Sequence, residues 1–391
     1  MNNLLEFIIF ITFTPVLIIF IYIALILFLG RQNTNIGITL NTHYPEITVI
    51  IPTFNEAKTI RKRIENLVET DYNVEKLHIL VIDESTDETK EIISELNLKN
   101  VVIIHSKHRL GYTDAVKKGI SMVTTPLIML IDAGSRHDKL TLPNLVRWFS
   151  DPLIGAVTGQ NMIYKSDNST AKDEINYRKF YNIARMGEQK LYSTFHMHGE
   201  ATLVRTSIAK KVILARSNLD IAMGLESIIQ GYRNIFDPEV KFYEVTPSNF
   251  SNRYKQKRIR ARGVIRLLLD YRKKLLFKSK YGLFGLIIFP AHYMSMIILP
   301  ISSIFFSITI IYILIINRYL LFIITLIIIV SILILFKKGI ISNIILIYGS
   351  LISGLISALQ WNEHSDFIDK VDQTRDDLSE IEQNYDDTMK K

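Results

Sequence analysis

Two short runs of apolar, mostly branched residues stop at an aspartate: Leu77–Ile82 at Asp83, and Leu127–Ile131 at Asp132. A third run, Ile47–Ile51, stops at Pro52-Thr53-Phe54-Asn55-Glu56. If these runs are strands of one sheet, their ends gather carboxylates into an anionic rim. Such a rim is costly unless a cation or hydrogen-bond donors meet it, as a nucleotide and a divalent metal would. Taken singly, each aspartate is equally a turn or helix-capping residue. His196 and His198 stand two apart, a spacing that on a strand turns both rings to one side, as metal ligands or as polar lining. The chain has no cysteine, which excludes a disulfide framework, a thiolate nucleophile and a zinc–cysteine site. It contains neither GxGxxG after a strand nor GxxxxGK[ST], so dinucleotide-fold and P-loop phosphate binding are set aside.

The elements that must position these residues follow from periodicity. Strands are expected at Ile47–Ile51, Leu77–Ile82, Val101–His105 and Leu127–Ile131. Between them, helical spacing predicts Glu56–Thr70, with Ile60, Ile64 and Leu67 on one face, then Thr86–Leu96 and Tyr112–Val123. Continuous apolar strands separated by helices indicate a parallel sheet covered on both faces, with ligands at the carboxyl ends of the strands.

This middle region is flanked by apolar blocks. Phe7–Leu29 is 23 consecutive uncharged residues, long enough for a bilayer core of about 30 Å. It lacks the basic start and shorter apolar stretch of a signal peptide. Leu283–Leu359 is interrupted by charge only at Arg318, Lys337 and Lys338, room for three or four crossings. Breaks are expected near Leu299-Pro300, at Arg318 and at Lys337-Lys338-Gly339. The net charge of +8 is uneven: Arg253–Lys280 holds twelve Lys and Arg against the single acid Asp270, whereas the tail after Trp361 is acidic. A basic segment abutting an apolar block matches an anionic cytoplasmic leaflet rather than nucleic acid. The expected organisation is an N-terminal span (1–30), a catalytic domain (44–265), a basic interfacial segment (266–282), transmembrane helices (283–359) and an acidic tail (360–391). The protein would be a multi-pass component of the cell membrane with its catalytic domain in the cytoplasm.

Val49–Glu56 (VIIPTFNE), Val81–Thr89 (VIDESTDET), His108–Gly119 (HRLGYTDAVKKG) and Leu130–Ser135 (LIDAGS) occur in the order and spacing of the family 2 glycosyltransferases, which this chain resembles over about residues 46–265. Asp151–Gln160 and Gly231–Val240 continue the resemblance. It implies an α/β GT-A (Rossmann-like) catalytic domain with N- and C-terminal transmembrane helices. By position, Thr53 and Glu56 would line the nucleotide site, Asp83 would accept a hydrogen bond from the base, and Arg109 would help orient the nucleotide. Asp132 would belong to the family's Asp-x-Asp element and hold a Mg²⁺ or Mn²⁺ bridging the donor phosphates. Gly134 replaces the second acid of that element, leaving Asp138 or His137 as neighbours able to contribute, and Tyr112 replaces a lysine often found in the third loop.

Transfer from a nucleotide sugar also needs a base for the acceptor hydroxyl. In the family this is an aspartate about eleven residues before a Gly-Tyr pair, and counting back from Gly231-Tyr232 gives Asp220. Asp220 is alternatively a helix N-cap, and Glu226 is a second, off-motif candidate. His198, Gly199 and Glu200 fall where the family shapes its acceptor site. Arg258 and Arg260 flank the position of the Gln-x-x-Arg-Trp element, either contacting the diphosphate or belonging to a basic interfacial helix. The partners implied are a nucleotide sugar, most simply a UDP-sugar, a lipid-linked or saccharide acceptor, and membrane lipids. Two other readings stay open: a processive synthase of the hyaluronan or cellulose type, which the missing tryptophan disfavours, and an inactive nucleotide-sensing membrane protein.

Overall fold

The structure is a computed structural model that describes residues 2–32, 44–163, 169–212, 218–244, 250–316, 324–329, 331 and 345–360. The acidic tail and the segments carrying Arg318, Lys337 and Lys338 lie outside the described residues, so the expected breaks there and the placement of the tail do too. The chain divides into two compact units. One is built chiefly from Ile26–Pro247 with Lys278–Phe284, the other from Met1–Leu25, Ser248–Phe277 and Gly285–Asn362.

Among the described residues the first unit contains an eight-stranded sheet. β1 (Ile47–Thr53), β2 (Leu77–Asp83), β3 (Val101–His105) and β4 (Leu127–Leu130) pair in parallel in the order β3-β2-β1-β4. Between them run α2 (Ile60–Val68), α3 (Thr89–Glu95) and α4 (Tyr112–Met122). The β-branched runs become strands because both faces are covered: Ile47, Val49, Ile50 and Ile51 are fully buried. Burying each such side chain contributes about 1.5–3 kcal/mol relative to exposure.

Beyond β4 the expectation of an all-parallel sheet fails. The remaining strands are β5 (Arg136–His137), β6 (Ile154–Ile163), β7 (Thr202–Arg205) and β8 (Arg233–Glu244). β7 runs antiparallel to both β4 and β6, and β5 antiparallel to β8, so the sheet is mixed. Two strands also extend past their predicted ends: β1 continues through Pro52 to Thr53, and β2 includes Asp83. α5 (Thr141–Val146), α6 (Ser169–Leu191), α7 (Thr206–Ala209) and α8 (Leu219–Ile229) complete this unit.

Within the same unit α6 packs closely on the end of α1 (Asn2–Arg31). A β-carbon at Gly187 would lie 1.8 Å from the Ile26 carbonyl oxygen, and one at Gly30 would lie 2.0 Å from that of Ile183. Only glycine permits such an approach of two helix backbones. Lys190 Nζ then donates to the Leu29 and Gln32 carbonyls, satisfying the end of α1.

In the second unit α9 (Phe250–Leu275) carries most of the basic segment on one uninterrupted helix. It packs against the helix Ser350–Leu359, where Tyr254 Oη donates to the Gly349 carbonyl at 2.9 Å. Among the described residues, two helices are long and apolar enough to cross a membrane, Thr14–Arg31 and Phe284–Thr309, with a shorter apolar helix at Leu346–Leu359. The expected break at Leu299-Pro300 is absent, because helical backbone continues through it. A wider π-turn precedes each proline, Phe284–Ile288 before Pro290 and Met294–Ile298 before Pro300. Each turn contains the residue four positions back, whose carbonyl would otherwise meet the proline ring.

Candidate active site

The carboxyl ends of β1 and β2 are knitted together by their own loops. Asn55 sits at φ 56°, a left-handed conformation that asparagine tolerates. Its backbone N–H donates to Ser85 Oγ at 2.8 Å and its Oδ1 accepts from the Thr86 N–H at 2.9 Å. The Glu56 N–H donates to Thr89 Oγ1 at 2.9 Å, and Glu56 Oε2 accepts from Thr59 Oγ1 at 2.9 Å. Glu56 therefore stands at this edge of the sheet.

Asp83 departs from its expected contact with a base. It has no solvent exposure, and its carboxylate is already engaged. Oδ1 accepts from Thr53 Oγ1 at 2.8 Å and from Ser85 Oγ at 2.6 Å, while Oδ2 accepts from His105 Nδ1 at 2.7 Å. In this arrangement Asp83 orients its neighbours. Thr53, also buried, spends its hydroxyl on the same carboxylate.

The third loop is set by a residue that sequence reasoning missed. Glu84, buried just after β2, accepts the backbone N–H groups of Leu110 at 3.0 Å and Gly111 at 3.1 Å. Gly111 takes φ 87°, which glycine adopts freely, and starts α4 so that Tyr112 is its first residue. Just before it, exposed Arg109 lies over the Phe54 ring at 3.9 Å from the centroid.

Asp132 follows β4 and opens a tight turn, its carbonyl accepting from Ser135 Oγ at 3.3 Å. The turn is held from below by Arg63. This fully buried arginine donates to the Ser135 carbonyl at 2.8 Å and to Asn66 Oδ1 at 3.0 Å, and contacts His137 Nδ1 at 2.9 Å. Its sequence signal was its place three residues after Ile60 on the apolar stripe of α2. His137 cannot supply the missing metal ligand, because it is buried and its Nε2 lies 2.6 Å from the Glu200 carbonyl. Burial, and then the Arg63 charge, hold its pKa well below the usual histidine range, so it stays neutral. Burial raises the pKa of Asp138. Replacing Arg63 with methionine is expected to cost about 2 kcal/mol or more, through orphaned polar groups under the turn. An unchanged thermal or denaturant midpoint would show that the turn does not depend on Arg63.

Tyr112 reveals which distant residues meet. Its phenol is held well above its ordinary pKa first by burial, then by the negative charges of Asp132, Asp220 and Glu200. The charges of the strand-end aspartate, the candidate base and the acceptor-loop glutamate thus all act on one phenol. Gly199 borders the base, since a β-carbon there would sit 3.8 Å from Asp220 Oδ2. Asp220 is the second residue of α8, so the N-cap position belongs to Asn218 and the capping alternative falls. A carboxylate in the first turn is favoured in its ionised form by the helix dipole. Glu226, the off-motif candidate, is buried within α8.

The acceptor loop is irregular, which corrects the strand assumed for His196 and His198. His198 is anchored through its backbone N–H to Thr158 Oγ1 at 3.0 Å and packs edge-on to Phe242. His196 packs on Tyr181 with ring centroids 5.3 Å apart. No group of three or more His, Asp or Glu able to hold a metal occurs among the described residues. What Asp132 offers is a hard carboxylate oxygen, which fits Mg²⁺ or Mn²⁺ held jointly with donor phosphates rather than in an all-protein cage. Arg258 and Arg260 lie on α9, Arg258 half-buried and Arg260 exposed.

Residues 48–213 match the family described as Glycosyl transferase family 2. Over these residues the chain carries the pattern of a family 2 glycosyltransferase domain. Over 268 residues the chain is 25% identical to the probable glycosyltransferase YdaM of Bacillus subtilis, covering 63% of each chain. Over 123 residues it is 32% identical to a Methanococcus voltae enzyme named as a dolichyl N-acetyl-alpha-D-glucosaminyl phosphate diacetamido-dideoxy-glucuronosyltransferase, covering 29% of this chain and 38% of that one. The chain thus spans about two fifths to three fifths of the length of these curated relatives. Mannosyltransferase PcManGT from Pyrobaculum calidifontis, solved with GDP-Man and Mn²⁺, superposes with a TM-score of 0.72 at 20% identity, covering 90% of this chain and 97% of that one. That likeness establishes a Rossmann-like GT-A fold.

Proposed function

We propose that the protein is an inverting glycosyltransferase that moves a sugar from a nucleoside-diphosphate donor, most simply a UDP-sugar, to a lipid-linked or saccharide acceptor at the cytoplasmic membrane face. The observation that supports this reading is that the charges of Asp132, Asp220 and Glu200 all act on Tyr112, the first residue of α4. In the proposed step the Asp220 carboxylate takes the proton of an acceptor hydroxyl as that oxygen attacks the anomeric carbon. The bond from this carbon to the diphosphate breaks on the opposite side, and a single displacement inverts the centre. His198, Gly199 and Glu200 would border the acceptor, and Tyr112, kept protonated, can donate a hydrogen bond to an anionic oxygen. Thr53, Glu56, Asp83 and Arg109 would form or support the nucleotide site. A Mg²⁺ or Mn²⁺ bound at Asp132 would neutralise charge growing on the leaving diphosphate.

Membrane attachment is supported by the two long apolar helices, and the basic α9 suits an anionic leaflet. A lipid-linked acceptor is supported by the dolichyl-phosphate substrate in the name of the Methanococcus relative. The test is a panel of UDP- and GDP-sugars given to the purified full chain with Mn²⁺, with and without polyprenyl-phosphate acceptors. Acceptor-dependent release of nucleoside diphosphate is expected for one donor, and no turnover with any donor would overturn the proposal.

A further inference from the structure

An aromatic row runs along α6 into the acceptor loop. Tyr177 and Tyr181 stand about one helical turn apart, and their rings are nearly parallel, with centroids 5.9 Å apart and 13° between the planes. Tyr181 also meets the His196 ring at 5.3 Å, and His196 packs edge-on to Phe195 at 4.9 Å. The row passes from surface to interior: Tyr177 is 43% exposed, Tyr181 and His196 are half-buried, and Phe195 is fully buried. Two buried charges of α6 hold its inner end. Arg185 donates to the His196 carbonyl at 2.5 Å and lies 5.6 Å from the centre of the Tyr181 ring, while Glu188 accepts the Phe195 N–H at 2.9 Å. The same loop borders the candidate base, because Gly199 lies against Asp220. Burial, more than the surrounding charges, holds the Tyr181 phenol well above its ordinary pKa, and the Asp220 carboxylate is one of those charges.

We propose that Tyr177 and Tyr181 form a shelf for a sugar ring of the acceptor, placed so that a hydroxyl of the same acceptor reaches Asp220. A sugar ring has a face of C–H groups and a rim of hydroxyls. The face matches the apolar ring of a tyrosine, and the rim suits amide and hydroxyl groups beside it. Such groups are present: Asn182 follows Tyr181 on α6 and pairs its amide with Gln160 at 3.0 Å. A bare isoprenoid chain has no hydroxyls to meet them, and a bare lipid phosphate has no apolar face to lay on the rings. The acceptor is therefore one that already carries sugar. This inference rests on the reading of Asp220 as the base for an acceptor hydroxyl, and it adds the chemical class of that acceptor.

The test follows transfer by the purified full-length protein with Mn²⁺, using the nucleotide sugar that it turns over. The acceptors are polyprenyl phosphate and polyprenyl diphosphates that carry one or two sugars from a panel of hexoses and N-acetylhexosamines. Wild type should show at least about tenfold higher kcat/KM for a sugar-bearing lipid than for polyprenyl phosphate. Tyr177→Ala should raise the KM for that lipid about three- to tenfold, the scale of one lost aromatic contact, with kcat at saturation and the donor KM retained. Tyr177→Phe keeps the ring and should restore the KM. Phe180→Ala removes another exposed ring of α6 and should leave the KM as in wild type. Tyr181→Ala should show the larger loss, with an unfolding midpoint measured on the same sample, and Tyr177→Ala keeps the test open if that variant does not fold. A wild type that prefers polyprenyl phosphate, an unaltered KM in Tyr177→Ala, or an equal rise in Phe180→Ala would overturn the shelf while the transferase reading stands. Absence of acceptor-dependent turnover with every donor and acceptor would overturn the transferase reading and the shelf with it.

Discussion

Asp220→Asn is expected to lower sugar transfer at least about 10²-fold while leaving donor binding in place, the usual scale for removing a general base. The substitution keeps the size and shape of the side chain and takes away only its ability to accept the hydroxyl proton. Stability should barely change. Asp220 sits in the first turn of α8 after the Asn218 cap, where a carboxylate's interaction with the helix dipole is worth about 0.3–1 kcal/mol. The measurement pairs single-turnover transfer with a thermal melt of the same sample. Activity and midpoint falling together would mean that Asp220 serves α8 rather than the reaction, and an active variant would remove it from the mechanism.

Asp132→Ala is expected to abolish metal-dependent donor turnover while the protein still folds and inserts. Asp132 is one of three carboxylates whose charge acts on Tyr112, and it alone of them stands just past a strand of the parallel set. With Gly134 in place of a second acid, no neighbouring carboxylate in the turn can substitute for it. The turn itself is held by backbone and Arg63 contacts that do not involve the Asp132 side chain. Donor consumption across a Mn²⁺ titration checks the prediction, and full activity at saturating Mn²⁺ would take Asp132 out of the metal site.

The two substitutions probe residues that were legible for different reasons. Asp132 announces itself because a four-residue apolar strand must end somewhere, and an acid there is visible to local pattern reading. Asp220 was placed through motif spacing alone, and nothing in its own surroundings in the chain says that it meets Tyr112, more than a hundred positions earlier. Glu84 and Arg63 were missed altogether. Glu84 accepts from a main-chain N–H 26 residues away and Arg63 donates to a carbonyl 72 residues away, and local periodicity carries no record of such pairs.

The amino-acid sequence by itself determined the four parallel strands, the helices between them, the carboxylates at their ends and the apolar first helix. These depend on periods of 2 and 3.6 residues and on continuous runs, which neighbouring residues specify among themselves. Tertiary structure alone decided the antiparallel insertion of β7 and the burial of Asp83 beneath Thr53, Ser85 and His105. It also decided the neutral His137 and the meeting of Asp132, Asp220 and Glu200. The physical reason is common to all of these. Burial and electrostatics depend on which groups the fold brings together in space, so an aspartate at one strand end opens a tight turn while another is a fully paired support.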